Sequence, residues 1–149
     1  LSNGLETIPG GSGIMAILAS RNLRRGLSVG LPSGQGAAQA LGIQPLTTVQ
    51  LTNGLPADEV NLLNSNGGIL RDKTPLWYYI LRESAVLENG NQLGPLGAKI
   101  IADTFIRMLK RDQDSYLNES GGFVPFLPSN THGQFNVEDL IIFSGINQP

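Results

Sequence analysis

Apolar positions recur along this chain at helical rather than alternating spacing. No run alternates apolar and polar residues over more than four or five positions, so strand signals are weak and the pattern predicts a mainly α fold. Ile14, Met15, Ile17 and Leu18 open the first apolar stripe. Continued at helical spacing, it leads to Asn22 and Arg25 and stops at Gly26, a natural C-cap, which predicts a helix of roughly three turns. Ser33 is placed to cap a short Ala-rich helix through Ala37, Ala38, Ala40 and Leu41, ended by Gly42. Pro45 to Asn53 reads as extended. Pro56, near N1, with Asp58 and Glu59 in the first turn, starts another short helix, and Asn64 to Gly68 reads as a loop.

The best-marked start is Thr74-Pro75, with Thr74 as cap and Pro75 at N1. Leu76, Tyr79, Ile80 and Glu83 share one face of the helix that follows and Trp77 and Leu81 another, so it is expected to be buried on more than one side; such an aromatic cluster could line a cofactor, but core is its commoner role. After a turn at Glu88–Asn91, Gly94-Pro95 opens the longest amphipathic helix. Gly97, Ile101, Thr104, Phe105, Met108 and Leu109 lie on its apolar face, with Lys99, Asp103, Arg107, Lys110 and Arg111 mainly on the wetter side. Asp112 to Gly133 is polar and broken by Pro and Gly, with Phe123, Phe126 and Leu127 as anchors. Asn136 and Asp139 form a capping-box start for a last helix, Val137 to Phe143, stopped by Gly145.

Composition narrows the class. The 149 residues are 40% hydrophobic and only 15% charged, enough for a core and too apolar for a disordered tail. So low a charge suggests that much of the surface is buried against something else. The net charge of −2 gives no argument for nucleic acid. Cysteine is absent, which removes disulfides and thiolate chemistry and leaves the compartment open. No run is long and apolar enough to span a bilayer. The Gly/Ser/Pro-rich stretch from Leu1 to Gly13 reads as a loop continuing from something upstream, and the chain looks cut from a longer product or processed.

Familiar catalytic patterns are missing. His132 is the single histidine, in a loop context more typical of a solvated side chain than of a haem or metal ligand. Gly34 and Gly36 flank Gln35 rather than a nucleophilic serine. Gly10-Gly11-Ser12-Gly13 lacks the Lys-Ser/Thr of a phosphate loop, and Asp112 and Asp114 lack the spacing of a calcium loop. Asn22 and Arg25, three apart on one helical face, are the exception. The amide carbonyl can accept from a neutral donor and the guanidinium can clamp a carboxylate. The pair suits a ligand edge bearing an acid, and it also suits an ordinary helix–loop junction, the commoner setting for such residues.

Asn22-Leu23-Arg24-Arg25-Gly26, continuing to Gly30-Leu31-Pro32, resembles the N-x-x-R-G-x-x-x-G-L-P segment of the animal-type haem peroxidase superfamily, and most closely its bacterial and fungal branch. Thr74 to Glu83, Leu93 to Gly97 with Ile101, Asp112 with Ser115-Tyr116-Leu117, and Phe135 to Gly145 are similar to the same branch, in the same order. The resemblance implies that the chain is the C-terminal portion of one catalytic domain. In it, Asn22 would accept a hydrogen bond from the proximal haem histidine, making the imidazole a stronger donor to iron, and Arg25 would contact a haem propionate. Leu27-Ser28-Val29-Gly30 replaces the Arg-Asp-His-Gly of animal members. The family's distal histidine and arginine and its proximal histidine lie N-terminal to the matching region, so no catalytic residue and no metal ligand is expected here. The implied partners are haem, hydrogen peroxide, a small organic reductant or lipid, and the missing N-terminal part of the domain. Two alternatives are a fragment of a haem-dependent fatty-acid dioxygenase and a stand-alone, non-catalytic helical binding protein.

Overall fold

The computed structural model describes residue 13, residues 17–122 and residues 136–145. Among these the chain is mainly helical, without a strand; Ser33 and Pro75 make an isolated antiparallel bridge. Seven helices follow in order: α1 Leu18–Ser28, α2 Gly34–Ala40, α3 Thr48–Thr52, α4 Ala57–Asp72, α5 Leu76–Leu87, α6 Pro95–Arg111 and α7 Val137–Phe143. They divide into two compact units, Leu1–Asp103 and Thr104–Pro149, with the division falling inside α6.

In the first unit α5 is the post on which α1, α2 and α3 pack. The core consists of Ala37, Ala38, Leu46, Leu51, Tyr79 and Leu96, with Ile43, Leu76 and Ile100 against it. Each fully buried leucine contributes about 1.5–3 kcal/mol. The small residues of α2 set the closest approach. Gly34 backs onto the Tyr79 ring, and a β-carbon there would fall 2.0 Å from its Cγ. Tyr79 has no exposed surface, and its hydroxyl accepts the Leu46 backbone N–H at 2.7 Å.

Several helix ends follow the sequence. Ser33 accepts from the Gly36 N–H, and Gly42 (φ 69°) closes α2. Others differ. Gly26 lies inside α1, not at its cap. The helix runs on to Ser28 and closes at Gly30 (φ 66°), where the Gly30 N–H reaches the Leu27 carbonyl and the Leu31 N–H the Gly26 carbonyl. A left-handed residue is needed for this paired closure, and Gly30 provides it without steric cost. The stretch Pro45–Asn53 is not extended throughout: Thr47 and Gln50 form a reciprocal capping box that starts α3. Ser65 to Gly68 leaves helical geometry and breaks α4, in agreement with a loop at that point, although helix resumes to Asp72.

Thr74 does not cap α5; Pro75 is the N-cap residue and α5 begins at Leu76. Thr74 is instead held by Gln35 of α2, 39 residues away in the chain. Gln35 donates its amide to the Thr74 hydroxyl (2.9 Å) and the Arg71 carbonyl (2.8 Å) and accepts from the Thr74 N–H (3.0 Å). Tyr79 and Glu83 are buried, but Leu81 is 48% exposed, so α5 is covered less completely than its composition suggests. Glu83 organises the start of α6, one carboxylate oxygen accepting the Leu96 N–H (2.9 Å) and the Gly97 N–H (3.2 Å). Gly94 leaves room for it, since a β-carbon at that position would meet the carboxylate. Ile101, on the apolar face of α6, is exposed.

In the second unit Phe105 and Met108 are also exposed. Ser115 and Asn118 fold back to satisfy carbonyls at the end of α6, including Leu109 and Lys110. Asn136 and Asp139 form the expected capping box for α7, and Gly145 (φ 73°) ends it. Val137, Leu140, Ile142 and Phe143 of α7 are each at least half exposed. Phe123, Phe126, Leu127 and His132 lie outside the described residues.

Candidate functional site

A cavity of about 650 Å³ opens in the first unit between α1, the end of α4 and the start of α5. Leu23, Leu27, Leu31, Leu70 and Trp77 give it an apolar wall, while Asn22, Ser33 and Lys73 bring polar groups to it. An apolar hollow with a few polar groups is the usual form of a ligand or partner site.

The wall follows from local structure. The cavity residues of α1 are Asn22, Leu23, Gly26 and Leu27, an i, i+1, i+4, i+5 set that covers one side of a helix. Closure at Gly30 turns the chain so that Leu31, Pro32 and Ser33 make the corner. The Gln35–Thr74 hydrogen bonds and the Ser33–Pro75 bridge tie that corner to the α4–α5 junction, which sets Lys73, Pro75 and Trp77 opposite α1. The Ser33 hydroxyl is committed to capping α2.

Asn22 is half-buried at this cavity, and among the described residues its side chain has no hydrogen-bond partner. Arg25 is exposed and does not line the cavity, and its guanidinium has no partner among the described residues either. The structure therefore brings Asn22 to the hollow and leaves Arg25 one turn along the same helix, outside the lining. Lys73 escaped sequence reasoning because its place in the cavity wall depends on the Gln35–Thr74 joint, and no local signal marks it.

Further along α5, the Tyr78 hydroxyl approaches a Glu59 carboxylate oxygen at 3.4 Å. Burial, and then the Glu59 charge, hold the Tyr78 phenol above its ordinary pKa. Burial also raises Tyr79, and it raises Glu83 against the opposing effect of the two backbone donors. Among the described residues no group of three or more His, Cys, Asp or Glu side chains is placed to hold a metal ion, and no helix is long and apolar enough to cross a membrane.

The chain is similar to dual oxidase 1. Against the rat protein it is 33% identical over 123 residues, 79% of this chain and 7% of that protein. Against the human protein it is 35% identical over 103 residues, 66% of this chain and 6% of that protein. It thus spans less than a tenth of the length of the relatives it matches. Both are mammalian proteins and give no support to the narrower likeness with a bacterial and fungal branch. No family model matches the chain, and no solved structure matches it significantly.

Proposed function

We propose that this chain is the C-terminal part of a haem-peroxidase catalytic domain that uses hydrogen peroxide to oxidise a small organic reductant, with the iron-ligating and peroxide-cleaving residues supplied by another part of the domain. The observation that carries the reading is the placement of Asn22: an amide without a side-chain partner among the described residues, at the edge of an apolar hollow, on the motif that resembles the superfamily. The likeness to dual oxidase 1 supports an oxidoreductase setting.

Two residues support a haem group here, Asn22 on the cavity wall and Arg25 beside it on the same helix. A neutral imidazole N–H needs an acceptor that is not itself charged, and the Asn22 carbonyl oxygen offers one beside apolar walls. A propionate needs a cation free of internal ion pairs, and Arg25, one helical turn from Asn22, meets that condition among the described residues. Bound haem supplies the redox chemistry with peroxide. Asn22 fixes which imidazole nitrogen carries the proton and keeps the ring oriented, while Arg25 anchors the macrocycle edge. The exposed apolar side chains of α6 and α7 support burial against further protein.

The test is Asn22→Ala in the full-length, haem-loaded gene product. Loss of a hydrogen bond to a metal-ligating histidine is expected to lower peroxidase turnover by about 10–100-fold, with haem content nearly unchanged. Equal losses of turnover and haem would make Asn22 a packing residue and refute the assignment. The 149-residue chain alone is expected to give no saturable Soret shift with haemin. One-to-one binding abolished by His132→Ala would overturn the reading.

A further inference from the structure

Trp77, Tyr78 and Tyr79 stand side by side on α5 in three different environments. Trp77, the single tryptophan, lines the cavity that holds Asn22. Tyr79 is sealed in the core with its hydroxyl on the Leu46 N–H. Tyr78 is half-buried, and its hydroxyl meets the carboxylate of Glu59, an exposed residue of α4. We propose that Trp77 and Tyr78 form a one-electron relay from the cavity to the protein surface, with Glu59 as the proton acceptor for Tyr78. The relay rests on the peroxidase reading for its natural oxidant, and its geometry comes from α4 and α5 alone.

The chemistry follows from proton bookkeeping. A phenol above its ordinary pKa is protonated at neutral pH, so removing one electron from Tyr78 also requires removing its proton. In the proposed step the Trp77 indole, on the cavity wall, gives up one electron to the oxidising equivalent that haem and peroxide would supply there. Tyr78 refills Trp77 with one electron as its O–H bond breaks, and the proton passes to the Glu59 carboxylate. The product is a neutral phenoxyl radical on Tyr78. A phenolic reductant at the surface then donates one electron, Glu59 returns the proton to the Tyr78 oxygen, and the reductant sheds its own proton to water. Electrons and protons balance, and Tyr78 and Glu59 are restored. Neighbouring side chains of one helix lie within its cross-section of about 10–12 Å, which bounds the separation of the two rings. Among the described residues Tyr79 accepts a backbone N–H and makes no hydrogen bond to a carboxylate, so it lacks the proton acceptor that Tyr78 has.

The test starts without haem. The 149-residue chain is oxidised by flash-generated ruthenium(III) tris-bipyridine, and the radical is trapped by freeze-quench and read by electron paramagnetic resonance. A tyrosyl signal is expected that disappears in Tyr78→Phe and survives in Tyr79→Phe and Tyr116→Phe. In Glu59→Gln its formation should slow by roughly tenfold, below the usual gain from a positioned base because the contact is long. Persistence of the full signal in Tyr78→Phe, or an unchanged rate in Glu59→Gln, overturns the proposal. In the haem-loaded full-length product, peroxide should raise the same signal, and Trp77→Phe should reduce it at least about tenfold if the indole is the intermediate carrier; an undiminished signal there overturns the relay. If the product instead carries no haem while the ruthenium arm finds Tyr78, the peroxidase reading fails and the Tyr78–Glu59 radical site stands without it.

Discussion

Gly34→Ala should separate α2 from α5, and its cost can be worked from the joint described above. The added methyl would lie 2.0–2.4 Å from Cγ, Cβ and Cδ2 of Tyr79. These atoms are at the root of the side chain, so no simple rotation of the ring tip removes the clash. Overpacking of this kind costs about 1–3 kcal/mol. If Tyr79 moves, the buried Leu46 N–H loses its acceptor, which adds about 1–3 kcal/mol. Better helix propensity returns up to about 1 kcal/mol. The expected net loss is about 3 kcal/mol, which at an m-value of about 1.5–2 kcal/mol/M lowers the urea midpoint by roughly 1.5–2 M. Trp77, the single tryptophan and two positions from Tyr79, reports the transition by fluorescence, with circular dichroism as the second probe. A midpoint unchanged or raised would refute the close approach. Tyr79→Leu in the Gly34→Ala background should recover part of the loss, because neighbouring substitutions couple; complete additivity would refute the contact equally well.

Two further outcomes concern the polar joints. Gln35→Ala leaves the Thr74 N–H, on a residue with no exposed surface, without its acceptor and should cost about 1–3 kcal/mol, checked by the same urea titration. Glu83 has a folded-state pKa above its ordinary value, so the folded chain holds the proton more tightly than the unfolded one. Stability should therefore be fullest below the ordinary glutamate range and fall as pH rises through the raised value. Glu83→Gln keeps an acceptor for Leu96 and Gly97 and should flatten that slope; an unchanged slope would mean another group titrates.

Local chemistry was the readable part of this sequence. Ser33 ahead of Gly36 and Asn136 ahead of Asp139 specify their helix starts within four residues, and the structure has both. Thr47 and Gln50 carry the same signal, but neighbouring Pro45 and the shortness of α3 hid it. Thr74 looked like a cap because its true partner, Gln35, is distant in sequence. The apolar face of α6 was legible as a pattern, whereas the exposure of Ile101 on that face is not encoded in the period of the helix. At the candidate site, one helical face for Asn22 and Arg25 followed from spacing alone. That Asn22 reaches the hollow while Arg25 stays outside depends on how α1 meets α4 and α5, a tertiary property.

The position of α5 has a consequence for synthesis. Helices α1, α2 and α3 all pack on it, yet all three precede it in the chain. At about 5–20 residues per second, translation from the end of α2 to the end of α5 takes a few seconds. During that interval Leu51 and the alanines of α2 have no post to close on, and folding of the first unit waits until α5 clears the ribosome. Nascent-chain lengths ending before Leu87 should therefore remain protease-sensitive and engage chaperones, with protection appearing once α5 and Leu96 of α6, which completes the core, have emerged.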